Sequence, residues 1–236
     1  MPSSKFIIVS DGACSKNPGP GGWASIVVYP NETVQEFGGG DPETTNNRME
    51  LKGFYYGLEE VYDVRNKFPN TRILRAISDS KYVLDGASSF VDRWEKNGWK
   101  TVAGGEVKNQ DLWEKVAKSQ KLLKESGFRI EYELVKGHTG HEGNERCDQI
   151  AVKFTHEEPI ELYKGPLANY SVSMAPAPAG KAFSTCYLSY VDGVLNRYKT
   201  WDECKLAVEG KSGAKYKKVK NAVEERDTLA LWKVKG

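Results

Sequence analysis

Polar and apolar positions along the first third of the chain suit strands. Phe6, Ile7, Ile8 and Val9 form a short apolar run, which predicts a buried strand over 5–12. GGWASIVVYP (21–30) and ETVQEFGGG (32–40) read as a hairpin partner and its neighbour, with Pro30-Asn31 at the turn. The period then changes. In NNRMELKGFYYGLEEVYDV (46–64) apolar residues fall at Met49, Leu51, Phe54, Tyr55, Leu58 and Val61, which is helical spacing. TRILRAISD (71–79) predicts a fourth strand, and SKYVLDGAS and FVDRWEKNGW predict short helices. NQDLWEKVAKSQKLLKES (109–126) is amphipathic and helical, FRIEYELV (128–135) alternates as a fifth strand, and Asn144 to Phe154 closes with a helix. Three strands without helices, then strand–helix alternation, imply an α/β fold: a mixed sheet flanked by helices.

The pattern breaks between Gly165 and Ala182. GPLANYSVSMAPAPAGKA has no period, and the Ala-Pro alternation from Ala175 to Pro178 suits a semi-extended linker. The preceding EEPIELYKGPLANY (157–170) carries Ile160, Leu162 and Tyr163, apolar residues able to pack back on the first domain. Beyond the break the chain reads as strand, turn, strand, helix and a basic segment. Asp192-Gly193 is a hairpin signal, and Thr200 with Glu203 forms a T-x-x-E capping box. The expected division is a first domain over 1–157, a linker over 158–182 and a small α/β module over 183–236. With only about 50 residues available, its core is small and the module is only marginally stable alone.

Composition adds limits. The 236 residues are 28% charged, with a net charge of +2, which fits one or two globular domains. No run of ~18 apolar residues exists, so no membrane partner is expected. MPSSKF leads straight into a strand without an apolar leader. A cytoplasmic protein is expected, with no obligate protein partner evident and a monomeric state. The four cysteines (Cys14, Cys147, Cys186, Cys204) form no C-x-x-C pair and read as free thiols. Charge is uneven: residues 183–236 carry 11 Lys+Arg against 7 Asp+Glu, and the other 182 carry 23 against 25.

Four acids lie where elements begin or end. Asp11 follows the first apolar run, Glu50 is in the first turn of the long helix, Asp79 ends the fourth strand, and Asp148 lies early in the last helix of the first domain. Each has an ordinary use: a solvated strand end, a capping-box partner for Asn47, a helix N-cap, a charge at a helix N-terminus. Together, from four separate elements, they could converge at one sheet edge as oxygen ligands for a hard divalent ion. Two such ions ~3.5–4 Å apart activate a water and stabilise a leaving oxygen in phosphodiester displacement.

SDGACSKNPGPGGWA, TTNNRMEL, ISDSKYV and VKGHTGHEGNERCDQIA, in that order and at that spacing, resemble type 1 ribonuclease H over roughly Lys5 to Phe154. The resemblance implies a ribonuclease H-like mixed five-stranded sheet flanked by helices. It implies an endonuclease that hydrolyses the RNA strand of RNA–DNA hybrids, giving 5′-phosphate and 3′-hydroxyl ends. The family's metal-binding carboxylates fall on Asp11, Glu50, Asp79 and Asp148, holding two Mg²⁺ ions, with Mn²⁺ able to substitute. Its mobile histidine falls on His138. A zinc reading of His138 and His141 lacks a third ligand at the usual spacing, and Gly137 and Gly140 mark a loop.

Choosing RNA over DNA requires contact with the 2′-OH, which both donates and accepts hydrogen bonds. By resemblance Asn17, Asn46 and Asn47, with Cys14, Ser15 and Met49, line the groove beside the metals, although NPGPGG would form a turn in any case. Arg93, Lys96 and Lys100 interleave with Trp94 and Trp99, a pattern that suits phosphate and sugar contacts. This segment resembles the family's basic protrusion; Trp113 reads as core. TWDEC and AKYKKV are similar to the hybrid-binding (viroplasmin-like) domain that eukaryotic ribonucleases H carry at the N-terminus, placed here after the catalytic domain. That likeness implies nucleic-acid contacts at Tyr187, Lys217 and Lys218 and sugar stacking by Trp201 and Tyr216, which replaces the commoner Phe. Two other classes compete: a hybrid-binding protein with a vestigial nuclease fold, and a DNA-directed nuclease or strand-transfer enzyme. Four retained acids oppose the first, and the amides of TTNNRMEL oppose the second.

Overall fold

The computed structural model describes residues 5–137, 140–174, 184–220 and 222–232. The chain divides into two compact units, one of residues 1–135 and 146–173, the other of residues 136–145 and 174–236.

The first unit is a six-stranded mixed sheet with helices. Its strands are β1 (Phe6–Cys14), β2 (Gly19–Val28), β3 (Thr33–Thr44), β4 (Ile73–Ser78), β5 (Arg129–Leu134) and β6 (Lys164–Pro166), in the order β5-β4-β1-β2-β3-β6. β1, β2 and β3 form an antiparallel meander, and β4 and β5 extend it in parallel from β1. The β2–β3 turn closes with Tyr29 N–H on Thr33 O at 2.9 Å, at the Pro30-Asn31 position read from sequence. The helices are α1 (Asn46–Val64), α2 (Lys81–Asp85), α3 (Val91–Lys96), α4 (Gln110–Glu125) and residues 146–155 of α5 (Glu142–Thr155). A π-helical turn, Gly86–Phe90, joins α2 to α3, so the two predicted short helices run on as one.

Phe6, Ile8, Leu51, Phe54, Leu58, Leu74, Trp113, Val116 and Leu123 fill one core. α1 lies very close to the sheet because two glycines let it. A Cβ at Gly12 would stand 2.2 Å from the Glu50 nitrogen, and one at Gly53 would stand 2.5 Å from Ala24 O. α5 also lies close to the sheet: a Cβ at Gly22 would stand 2.1 Å from Ala151 O.

The structure corrects two expectations. The sheet has six strands rather than five, and residues 158–173, assigned from sequence to a linker, belong to the first unit. β6 pairs antiparallel with Thr33–Gln35 of β3, satisfying edge groups that an isolated β3 would leave to solvent. Three residues, KGP, are too short to show a period. The strand β1 also runs on to Cys14, so Asp11 lies within it rather than at its end. The Ala175–Pro178 alternation lies outside the described residues.

The second unit contains a three-stranded antiparallel sheet in the order β8-β7-β9: β7 (Cys186–Val191), β8 (Val194–Tyr198) and β9 (Lys215–Val219). The β7–β8 loop is the two residues Asp192-Gly193, both at positive φ (51° and 79°), as a type I′ turn requires. Thr200 Oγ1 accepts from the Glu203 amide while the Glu203 carboxylate accepts from the Thr200 amide, starting α6 (Trp201–Val208). A last helix, α7, spans Ala222–Leu231. The basic segment is β9, in which only Val219 is buried.

Candidate active site

Asp11 sits in mid-β1 and is 7% exposed. Its Oδ1 accepts the Gly12 amide at 2.7 Å. Burial pushes its carboxyl well above the ordinary 3.8, and the charges of Asp79, Asp148 and Glu50 push the same way against that amide bond. Carboxylates from β1, α1, the end of β4 and α5 therefore act on one another. β4 runs parallel beside β1 with Ile77 opposite Val9, which brings the residue after Ser78 alongside the middle of β1. Gly12 lets α1 come close there with Glu50, the helix's fifth residue and so past the first turn expected from sequence.

Asp11 is no solvated strand end, and the ordinary uses of the other three acids fail as well. The N-cap of α1 is Thr45 without a side-chain cap bond, so no capping box joins Asn47 to Glu50. The N-cap of α2 is Ser80, whose Oγ accepts from Val83, and Asp79 is released from that duty. α5 starts at Glu142, which leaves Asp148 beyond its first turn. Glu50 is held from both sides instead: Asn46 Nδ2 donates to Oε1 at 2.8 Å and Ser80 Oγ donates to Oε2 at 2.6 Å. Burial raises its carboxyl and Asp79 adds to that, opposed by these two bonds. Ser80 and the Gly12 amide were not singled out from sequence. The Ser following Asp79 in ISDS was the available signal.

Among the described residues no group of three or more His, Cys, Asp or Glu stands in metal-holding geometry. Asp79, Asp148 and Glu50 act on Asp11 through their charges. Their chemistry fits a hard cation: oxygen donors only, with Glu50 pre-oriented by Asn46 and Ser80. His138 lies outside the described residues.

Around the acids, Asn17 Oδ1 accepts from the Asn46 amide at 3.0 Å, tying the NPG turn to the start of α1. Asn17 and Asn47 are exposed, and Cys14 and Ser15 are half-buried. Cys14 Sγ lies 3.4 Å from Thr44 O. Met49 is fully buried, packed against Gly12 and Gly21, and forms floor rather than an open contact. Arg93, Lys96 and Lys100 are exposed, and Arg93 and Lys96 line an open groove of about 700 Å³ with Ser89, Asp92, Asn97 and Val102. Trp113 is core as read; Trp94 and Trp99 pack against that core with part of each ring exposed. A bidentate pair, Arg48 to Asp111 at 2.8 and 2.7 Å, ties α1 to α4.

In the second unit Trp201 lies between Tyr187 and Tyr216, with ring centroids 5.7 and 5.2 Å away. Lys218 Nζ stands 5.5 Å from the Tyr187 ring centre. Trp201 is 37% and Tyr216 54% exposed, so the rings are available for stacking. Register separates the two lysines. Lys218 pairs with Tyr187 and shares the Tyr216 face, whereas Lys217 pairs with Leu188 and projects to the opposite face.

Comparison with known proteins identifies the family. The model of the RNase H family matches residues 3–155, and that of the ribonuclease H1 N-terminal domain matches residues 197–224. A ribonuclease H of Prochlorococcus marinus is 44% identical over 153 residues, 65% of this chain and 89% of the relative. One from Pseudomonas fluorescens is 40% identical over 164 residues, 70% of this chain and 99% of the relative. Among solved structures, LC9-RNase H1, described as a type 1 RNase H with the type 2 active-site motif, aligns at TM-score 0.56 and 24% identity, over 76% of this chain and 90% of that one. A foamy viral protease–reverse transcriptase in complex with an RNA/DNA hybrid aligns at TM-score 0.50 and 16% identity, over 65% of this chain and 20% of that one; at these identities both speak for the fold. The chain belongs to the RNase H family, endonucleases that degrade the RNA strand of RNA–DNA hybrids.

Proposed function

We propose that Asp11, Glu50, Asp79 and Asp148 hold two Mg²⁺ ions, replaceable by Mn²⁺, and that RNA-strand hydrolysis leaves 5′-phosphate and 3′-hydroxyl ends. The observation that carries this is the joint charge of Asp79, Asp148 and Glu50 on buried Asp11. Bound cations would supply an activated water and charge neutralisation at the leaving oxygen. The chain's own groups orient the substrate. The Asn46 side chain donates to Glu50 and Asn17 accepts from the Asn46 amide, and these side chains with exposed Asn47 suit contact with a 2′-OH. Arg93, Lys96 and Lys100 suit the phosphates of the DNA strand, with Trp99 behind them. His138 serves transient proton or product handling. The Trp201–Tyr187–Tyr216–Lys218 surface anchors the hybrid and raises its effective concentration. Among the described residues no helix is long and apolar enough to cross a membrane; a cytoplasmic monomer without an obligate protein partner completes the reading.

The test is cleavage of labelled RNA–DNA hybrid, all-RNA and all-DNA duplexes with and without Mg²⁺, beside Asp79→Asn. The expected result is metal-dependent cutting of the hybrid's RNA strand alone, abolished in Asp79→Asn. Wild-type-like turnover by Asp79→Asn would overturn the metal assignment. Tight hybrid binding without cutting would favour the binding-protein reading, and cutting of all-DNA duplexes the strand-transfer reading.

A further inference from the structure

Glu36 is a buried carboxylate that the proposed chemistry does not use. It lies in β3 with a side chain 0% exposed. Its two oxygens accept from Arg146 at 2.8 and 2.9 Å, from the Tyr170 hydroxyl at 2.6 Å and from the Tyr163 amide at 2.9 Å. The Glu36 amide in turn donates to Tyr163 O at 2.8 Å, and Arg146 donates to Glu161 O at 3.1 Å. The Tyr163 and Tyr170 rings pack 4.8 Å apart. Burial pushes the Glu36 carboxyl up, but the bonds from Arg146, Tyr170 and Tyr163 outweigh it, so the group stays ionised. One carboxylate thus joins β3, α5 and the 158–173 segment.

Arg146 stands two residues before Asp148 on α5. Between them Cys147 Sγ contacts Val9 O at 3.2 Å, next to the Asp11 region of β1. Farther along, α5 rests on glycine: a Cβ at Gly38 would meet Phe154 and Ile150 at 2.5 and 2.7 Å. A glycine bed sets how close the helix comes, but a smooth bed does not set its rotation. A buried ion pair adds little net stability over apolar residues of the same volume; what it can supply is one geometry, because each donor must meet a lone pair.

We propose that Glu36 is a positioning residue for the acidic centre: with Arg146 and the Tyr163–Tyr170 segment it fixes the rotation of α5, and so the place of Asp148 against Asp11. Residues 158–170 are then a working part of the catalytic unit, although they lie past the family match. The inference rests on reading the four acids as a divalent-cation site.

The experiment compares the full chain with Glu36→Gln, Arg146→Lys and Tyr170→Phe. It measures Mn²⁺ binding calorimetrically without substrate, the Mg²⁺ concentration for half-maximal cleavage, hybrid Kd and the thermal midpoint. Glu36→Gln is expected to weaken cation binding about 10-fold, as loss of outer support for metal ligands does. The Mg²⁺ midpoint should move in parallel and hybrid Kd should not. Tyr170→Phe, which removes a single hydroxyl and keeps the fold if Glu36→Gln does not, should give a smaller shift in the same direction. Arg146→Lys keeps the charge but loses the fork, and should fall between wild type and Glu36→Gln. A lowered thermal midpoint with wild-type cation binding in these variants would overturn the inference and leave Glu36 merely structural. Wild-type protein that binds no Mn²⁺ would sink the cation reading itself.

Discussion

Replacing Asp11 with Asn should stabilise the metal-free protein while abolishing cleavage. Asp11 is buried among the charges of Asp79, Asp148 and Glu50. Two like charges ~8 Å apart at an effective dielectric of ~20 repel by about 2 kcal/mol. Screening at physiological salt leaves roughly 1 kcal/mol per pair. Three neighbours therefore cost about 3 kcal/mol. Asn keeps the shape but weakens the charge-assisted bond from the Gly12 amide, a loss of about 1 kcal/mol. The net gain is about 2 kcal/mol, which for a unit of this size is a rise of about 4–8 °C in thermal midpoint. The sign with pH follows from the raised carboxyl. The folded protein favours protonated Asp11, so the penalty stands at neutral pH and fades as pH falls through the raised value toward the ordinary 3.8. Thermal melts of wild type and Asp11→Asn in chelator, from pH 7 down to pH 4, should show a gap that is widest at pH 7 and closes on acidification. Added Mg²⁺ should raise the wild-type midpoint more than the mutant's. A lower midpoint for Asp11→Asn at pH 7 without metal would refute the charge argument.

Gly12→Ala should destabilise by about 1–3 kcal/mol and cut turnover, because its Cβ would push on the Glu50 backbone at 2.2 Å; a chemical-denaturation midpoint matching wild type would contradict the close approach. Trp201→Ala with Lys218→Ala should weaken hybrid binding and flatten its salt dependence, whereas Lys217→Ala, on the opposite face, should change the slope less; equal slopes for all three would remove this surface from binding. His138→Ala should slow turnover with hybrid Kd nearly unchanged, read from single-turnover kinetics and binding isotherms, and a large affinity loss would reassign it.

Much of this protein was legible in its sequence, wherever the deciding physics is local. The 46–64 helix was read at the observed bounds because its period of apolar positions lies within one element. The capping box at Thr200 and the turn at Asp192-Gly193 follow from side chains and backbone preferences a few residues apart. The four acids were legible as a set through motif order, since chemistry constrains residue type at each place.

Pairing across the chain was decided only by the tertiary structure. Glu36 and Arg146 are 110 positions apart, and neither carries a local mark of the other. The sixth strand exists because β3 offers an edge, which KGP cannot announce. The opposite faces of Lys217 and Lys218 depend on strand register, and the segment's lysines and tyrosine hide its apolar face. Convergence of the acids on Asp11 is of the same kind. The sequence determined which groups the chain possesses and the local elements that carry them. The charge that Asp79, Asp148 and Glu50 bring to bear on buried Asp11 required the parallel pairing of β1 with β4 and the close seating of α1 and α5 on glycine.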